Sequence, residues 1–301
     1  MMWYLWAILS MIADSSEKIL DKIILIKDPE RIDFLGAMFY RNLIFFVCII
    51  LIGLTGILGK LHIVFTLSFF ILAVIYPLAS YSYDYFLRNA EVSRFSAIFQ
   101  TCPIFFVFLD NLVFHTLYSV VQVVGVFLLV AGSILYSYDV IERKKAFSTK
   151  GVLLIITYMA VNIYLYTIFK LSSMTVNGVS FYGSIWAVMM IVYAIFLIAT
   201  KKYKKLKETA MSNSFLAKTC ISKSLDALSS IFYTSALAIV SLTIVSAFTS
   251  IEPLATLIIL MCLSLLTKVK VSEDFSRKTL ALKVVASLII VTGSLCIFTI
   301  H

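Results

Sequence analysis

Apolar runs of about 20 residues, the length a helix needs to cross a bilayer, recur along the whole chain with short polar segments between them. They predict ten membrane-spanning helices, at residues 3–26, 33–58, 63–87, 95–114, 118–138, 151–171, 178–200, 215–240, 243–267 and 279–299. What remains is short loops, with no room for a soluble catalytic or nucleotide-binding domain.

The pattern repeats. SAIFQTCP (Ser96–Pro103) and SAFTSIEP (Ser246–Pro253) both open with Ser-Ala, place a proline seven residues after the serine, and sit inside an apolar span. The likeness runs outward from them: LASYSYDYFL (Leu78–Leu87) lies over LSSIFYTSAL (Leu228–Leu237), and VAGSIL (Val130–Leu135) over VTGSLC (Val291–Cys296). Phe39-Tyr40 aligns with Phe181-Tyr182, and Asp14 falls opposite Asn162. An internal repeat decides the fold before any single residue does. The expected class is therefore an all-α integral membrane protein whose ten transmembrane helices form two five-helix repeats, residues 1–140 and 151–301, joined by a basic linker at 141–150.

Charge then sets orientation. Nearly all loop Lys and Arg residues follow spans 1, 3, 5, 7 and 9, which places those loops in the cytoplasm and both termini outside. The run KKYKKLK (Lys201–Lys207) reads as a topology anchor of this kind. Because each repeat has an odd number of spans, the second inserts upside down relative to the first. Inverted repeats are a common transporter design, with the site near the midplane where the repeats meet.

Composition agrees. Hydrophobic residues make up 61% of the chain, charged residues 14%, and the mean hydropathy is +1.02, which excludes an ordinary soluble domain. The net charge of +9 sits in loops between spans and does not point to nucleic acid. The five cysteines are scattered through spans without metal spacing, and neither a disulfide framework nor a bound metal or cofactor is expected. The opening MMWYLWAIL lacks a basic n-region and reads as an uncleaved first span. No GxxxxGK[ST], HExxH or GxSxG sequence is present, so neither direct ATP use nor an intramembrane enzyme has support.

The polar residues inside spans carry the candidate chemistry, because a charge in the bilayer faces a bundle interior or a watery cavity. Asp14, Glu17, Lys18 and Asp21 share one face of span 1, and Asp14 with Lys18 makes an i, i+4 pair. Arg41 lies too deep in span 2 for easy snorkelling and calls for a carboxylate, Glu17 or Asp14. Span 3 sets Tyr76, Tyr81, Tyr83 and Tyr85 around Pro77, with Asp84 and Arg88 spaced to close the helix end. Tyrosines there also suit a membrane interface. Gln100 precedes the proline of span 4, and Asp110 and His115 near its end are expected at the interface. Gly125 and Gly132, on one side of span 5, permit close helix approach. Asn162 stands in span 6, Lys223 and Asp226 lie deep in span 8, and Glu252 sits mid-span with no base near it on its own helix.

These residues resemble a family. The two-by-five plan, SAIFQTCP in span 4, SIEP in span 9 and the VVQVVGVFLLVAGSIL tail of the first repeat are similar to the EamA-type permeases of the drug/metabolite transporter superfamily. Arg41 matches an arginine often seen in span 2 of such proteins, and Glu252-Pro253 their second-copy Glu-Pro; the glutamate often found just after span 4 is replaced here by Thr116. The resemblance implies transport of small polar metabolites, often export of amino acids or related compounds. The expected protein is a secondary active exporter of small polar or amphoteric metabolites, working by alternating access as a multi-pass protein of the inner (cytoplasmic) membrane. Its partners would be the metabolite and the lipid bilayer, and a monomer suffices because both inverted halves are in one chain. The cavity would lie between spans 1–4 and 6–9, with Asp14, Glu17, Lys18, Arg41, Tyr81, Gln100, Asn162, Asp226 and Glu252 as substrate-binding candidates. Arg41 and Lys18 would face an anionic group, and Glu252, Asp14 or Asp226 a cationic one, with Glu252 also coupling transport to protons. The alternatives are a flippase for lipid or lipid-linked sugar, and a non-transporting membrane subunit.

Overall fold

The computed structural model describes residues 3–27, 34–89, 92–99, 101–137, 149–199, 213–266 and 276–298. Most of the linker between the halves, the run Lys201–Lys207 and Gln100 lie outside the described residues. The described residues form twelve helices and no strand. In the first half they are α1 (Trp3–Lys27), α2 (Phe34–Thr55), α3 (Leu67–Asn89), α4 (Val92–Phe99), α5 (Pro103–Leu112) and α6 (Val120–Ser137). In the second half they are α7 (Thr149–Ser172), α8 (Gly178–Ala199), α9 (Asn213–Ile239), α10 (Leu242–Thr249), α11 (Glu252–Leu266) and α12 (Arg277–Phe298).

Two expected spans are each broken into two helices, α4–α5 and α10–α11, and both breaks fall at the repeated Ser-Ala…Pro segment. A proline has no N–H to donate and fits the first turn of a helix, so each proline ends one helix and starts the next. Pro103 stands at the start of α5 after Cys102, and Pro253 lies in the first turn of α11. α3 by contrast runs straight on through Pro77.

Among the described residues, six segments are long and apolar enough to cross a membrane: Met38–Thr55, Leu67–Asn89, Thr149–Ser172, Gly178–Ala199, Leu242–Ser264 and Arg277–Phe298. Shorter apolar stretches at Ser96–Leu112 and Val120–Tyr136 accompany them. α1 carries too many charges and α9 too many polar residues, Ser and Thr above all, to qualify by composition, and the two pack against each other along their length. The pairing hides each one's charges against the other, which is the arrangement an isolated charged helix lacks in lipid.

The remaining neighbours follow a plan. α2 packs on α8, α3 on α7, α4 on α11, α5 on α10 and α6 on α12. Exchanging the two halves of the chain maps this set of contacts onto itself, with α1–α9 becoming α7–α3 and α4–α11 becoming α10–α5. α6 and α12 bring their backbones together: a Cβ built on Gly125 would meet the Gly293 carbonyl oxygen at 2.7 Å, and one on Gly132 would meet Ile290 Cγ1 at 2.7 Å. Backbones this close need small residues at the contact.

The distribution of side chains is inverted relative to a soluble protein. Glu17, Lys18, Asp21, Arg41, Asp84, Lys223, Glu252 and Lys283 are buried, while Leu54, Phe65, Phe127, Ile195, Ile198 and Leu288 are exposed. Water is a poor solvent for that surface and lipid a good one.

Candidate functional site

Between the halves lies a cavity of about 120 Å³, lined by α1–α5 and α7–α11 but not by α6 or α12. Charge reaches it from five helices. α1 is the principal donor because Asp14, Glu17, Lys18 and Asp21 recur at helical spacing and so point the same way. α2 adds Arg41, α3 adds Tyr83 and Asp84, α9 adds Lys223 and Asp226, and α11 adds Glu252. The break in the helix explains the last of these. It places Glu252 in the first turn of α11, inside the protein, where unpaired backbone N–H groups favour a carboxylate.

Three cations organise the cluster. Lys18 Nζ lies 2.8 Å from Asp14 Oδ2 and 2.6 Å from Glu252 Oε1. Lys223 Nζ donates to Glu17 Oε1, sits 2.9 Å from Asp226 Oδ2 and lies 3.2 Å from Asp21 Oδ2. Arg41 bridges two carboxylates, donating from Nη2 to Asp21 and from Nη1 to Asp84. Ser222 completes Asp21 by donating to its Oδ1. Tyr83 donates to Glu17 Oε2 at 2.7 Å, and its ring faces the Arg41 guanidinium with Cζ 5.5 Å from the ring centre. Each of these six carboxylates touches a cation, the three cations being shared among them, because a buried ion without any partner is costly. Several of these pairs join the first half to the second: Lys18 with Glu252, and Lys223 with Glu17 and Asp21.

Of the residues proposed from sequence, Asp14, Glu17, Lys18, Arg41, Asn162, Asp226 and Glu252 all line the cavity. Asn162 turns its amide back to the Tyr158 carbonyl at 2.8 Å. Tyr81 is not among the lining residues; its ring lies 5.9 Å from Lys150 Nζ, and Tyr83, two residues on, takes the inward position. Gln100 lies outside the described residues. Arg41 pairs with Asp21 and Asp84, not with Glu17 or Asp14 as expected. Asp84 accordingly is buried and does not close the helix end with Arg88, which is exposed. The reason is reach: the long guanidinium arm spans from α2 to two helices at once, and a buried carboxylate gains more from it than a solvated one does. Arg41 and Lys18 are thus both covered by carboxylates and present no open cation to an anionic group.

Sequence reasoning passed over Asp21, Lys223, Tyr83 and Tyr158 as site residues, though all but Asp21 line the cavity. Asp21 was legible as the i+7 member of the charged face of α1. Nothing in the sequence distinguishes Tyr83 from its neighbouring tyrosines.

A second polar cluster closes the end of the molecule where α5 meets α10. Asp110, expected at an interface, is fully buried. Its Oδ2 accepts from Tyr118 Oη at 2.6 Å, from the Thr243 backbone N–H at 2.9 Å and from Thr243 Oγ1 at 2.7 Å. Ser241 caps α10 and also bonds Tyr118 at 3.1 Å. Beside it Lys170 donates to the carbonyls of Leu237 and Val240, at 2.7 and 2.8 Å, at the end of α9. Among the described residues no group of His, Cys, Asp and Glu could hold a metal ion.

A solved structure described as "Crystal structure of protein" shares this fold, with a TM-score of 0.58 and 11% identity over 97% of this chain and 99% of its own. No curated protein sequence matches the chain. The model of the EamA-like transporter family matches residues 1–138, the half that contributes α1 and Arg41 to the charged cavity. Over its first half the chain is therefore similar to the EamA-like transporter family, a family of membrane transporters within the drug/metabolite transporter superfamily.

Proposed function

We propose that the protein is a secondary active transporter that exports small polar or amphoteric metabolites, amino acids among them, by alternating access. The observation that carries this reading is the pairing of charges across a small cavity between the two halves. Ion pairs that join the halves in one conformation can be exchanged for contacts with a ligand in another, which is what alternating access requires. The exchange symmetry of the helix contacts supports ten spans in two inverted repeats, residues 1–140 and 151–301, with one chain sufficient for transport. The lysine- and arginine-rich odd loops support an inner membrane with both termini outside.

The cavity's size favours a small metabolite over the flippase reading. A 150 Å³ protein cavity holds about one benzene ring, and this one, at about 120 Å³, does not hold an acyl chain. A subunit without a transport role would be expected to close the space that Asp14 and Asp226 line. Glu252 is the proton-coupling group in this scheme. It shares Lys18 with Asp14, so adding a proton to Glu252 frees Lys18 to its other partner and loosens a bond between the halves.

The test is flux in proteoliposomes carrying the purified protein, with an imposed pH gradient and a panel of labelled amino acids and related metabolites. Gradient-driven movement of at least one substrate is expected, with Glu252→Gln losing the response to the gradient. Unchanged gradient-driven flux in Glu252→Gln would remove the coupling role, and no flux of any compound would remove the transport reading.

A further inference from the structure

The charge balance of the cavity narrows the substrate class. Six carboxylates meet three cations in two ion-pair groups beside one cavity: Asp14 and Glu252 share Lys18, while Glu17, Asp21, Asp84 and Asp226 share Lys223 and Arg41. Lys22, the next cation along α1, turns away to the Leu87 carbonyl. Exposure divides the cluster further. The side chains of Asp14 and Asp226 are each 32% exposed, whereas those of Lys18 and Lys223 are 4% and 6% exposed and that of Arg41 10%. The charge facing the open space is therefore negative. The cations lie behind it, each held by at least two carboxylates. Arg41 Nε, which has no hydrogen-bond partner, is closed off from that space, so it offers no donor to a ligand there.

The walls suit the same ligand. Tyr76, Tyr158, Tyr166, Tyr182, Tyr233 and Trp186 line the cavity. Their ring faces carry the negative side of the aromatic quadrupole and attract cations within about 6 Å. Aromatic faces and a carboxylate surplus favour an ammonium group and disfavour a carboxylate, which would find no uncovered cation among the described lining residues and would meet Asp14 and Asp226 instead.

We infer that the site takes a small organic amine, a primary ammonium ion on a compact aliphatic body, in preference to the amino acid of the same shape. Asp14 and Asp226 anchor the ammonium, in the manner already displayed by the Lys18 and Lys223 ammonium groups that they hold. This inference rests on the transporter reading and specifies its substrate. The ligand's ammonium competes with Lys18 for Asp14 and with Lys223 for Asp226, so binding bears directly on the ion pairs between the halves.

The experiment is a binding series on the detergent-purified full chain in which shape is held and charge varied: isobutylamine, valine and isovalerate, with putrescine and 4-aminobutyrate as a second set. Calorimetry or thermal shift reads each affinity. Amines are expected to bind at least about tenfold tighter than their zwitterionic partners, a difference of ~1.4 kcal/mol, with the pure acid showing no binding. Asp226→Asn and Asp14→Asn should each weaken the amine by about tenfold or more. Wild-type affinities alone decide the order, so a variant that fails to fold does not blunt the test. An amino acid or acid that binds as well as its amine would overturn the inference while leaving transport standing. Silence of the whole series would overturn it too, and the flux panel above would then judge transport separately.

Discussion

Arg41→Met gives the sharpest test of the buried network. Arg41 holds Asp21 through one nitrogen and Asp84 through the other. Removing the guanidinium affects the two carboxylates unequally. Asp21 keeps Lys223 at 3.2 Å and the Ser222 hydroxyl. Asp84 is 1% exposed and has no other ion pair among the described residues, so it is left charged without a partner. Breaking a buried pair in this way costs about 3–5 kcal/mol, most of it from the orphaned charge and not from the lost attraction. Methionine fills much of the space, so the cavity contribution is small. The orphaned charge can also be removed. Asp84→Asn alone leaves Arg41 with Asp21, and Asp84→Asn combined with Arg41→Met leaves two neutral groups in contact. The double variant should therefore recover about 1–3 kcal/mol relative to the sum of the single variants. Reversible unfolding of the detergent-solubilised protein by SDS titration reads all three. Strict additivity within about 0.5 kcal/mol, or an Arg41→Met protein as stable as the parent, would refute the account of Asp84 as Arg41's dependent partner.

Three further outcomes follow from contacts elsewhere. Gly293→Ala puts a Cβ 2.6 Å from the Gly125 carbonyl oxygen, which neither backbone can yield without separating α6 from α12. A loss of about 1–3 kcal/mol is expected in the same titration, with the exposed neighbour Thr292→Ala within about 0.5 kcal/mol of the parent. Asp110→Ala removes the shared acceptor of Tyr118 and Thr243 and should cost about 2–4 kcal/mol; hydrogen exchange should then rise at Thr243 and Ile244, and unchanged exchange there would contradict the role of Asp110 in holding α5 to α10. Lys18→Met strips the shared ammonium from Asp14 and Glu252 and should destabilise the protein by about 3–5 kcal/mol, whereas Lys18→Met with Glu252→Gln should lose less; equal losses in both would contradict the pair.

What could be read along the chain was whatever depends on near neighbours. Span lengths follow from apolar runs, whereas the breaks before Pro103 and Pro253 fall inside stretches expected as single helices, and α3 continues through Pro77, so a proline alone did not mark them. The pairs Lys18–Asp14 and Lys223–Asp226 follow from helical spacing, because residues three and four apart share a face whatever surrounds them. The glycines that let α6 meet α12 were legible for the same reason, as small residues one heptad apart. Tertiary structure decided everything that depends on how one helix is rotated and raised against another. It gave Arg41 to Asp21 and Asp84, turned Tyr83 inward and left Tyr81 with Lys150, and buried Asp110 where α5 meets α10. A one-residue turn of a helix moves a side chain by about 100° (3.6 residues per turn), so sequence spacing fixes which charges travel together but not which ones meet. That meeting also set the sign of the open surface. The sequence places acids and bases in the same spans, and only the packing shows the bases covered and two acids facing the space between the halves.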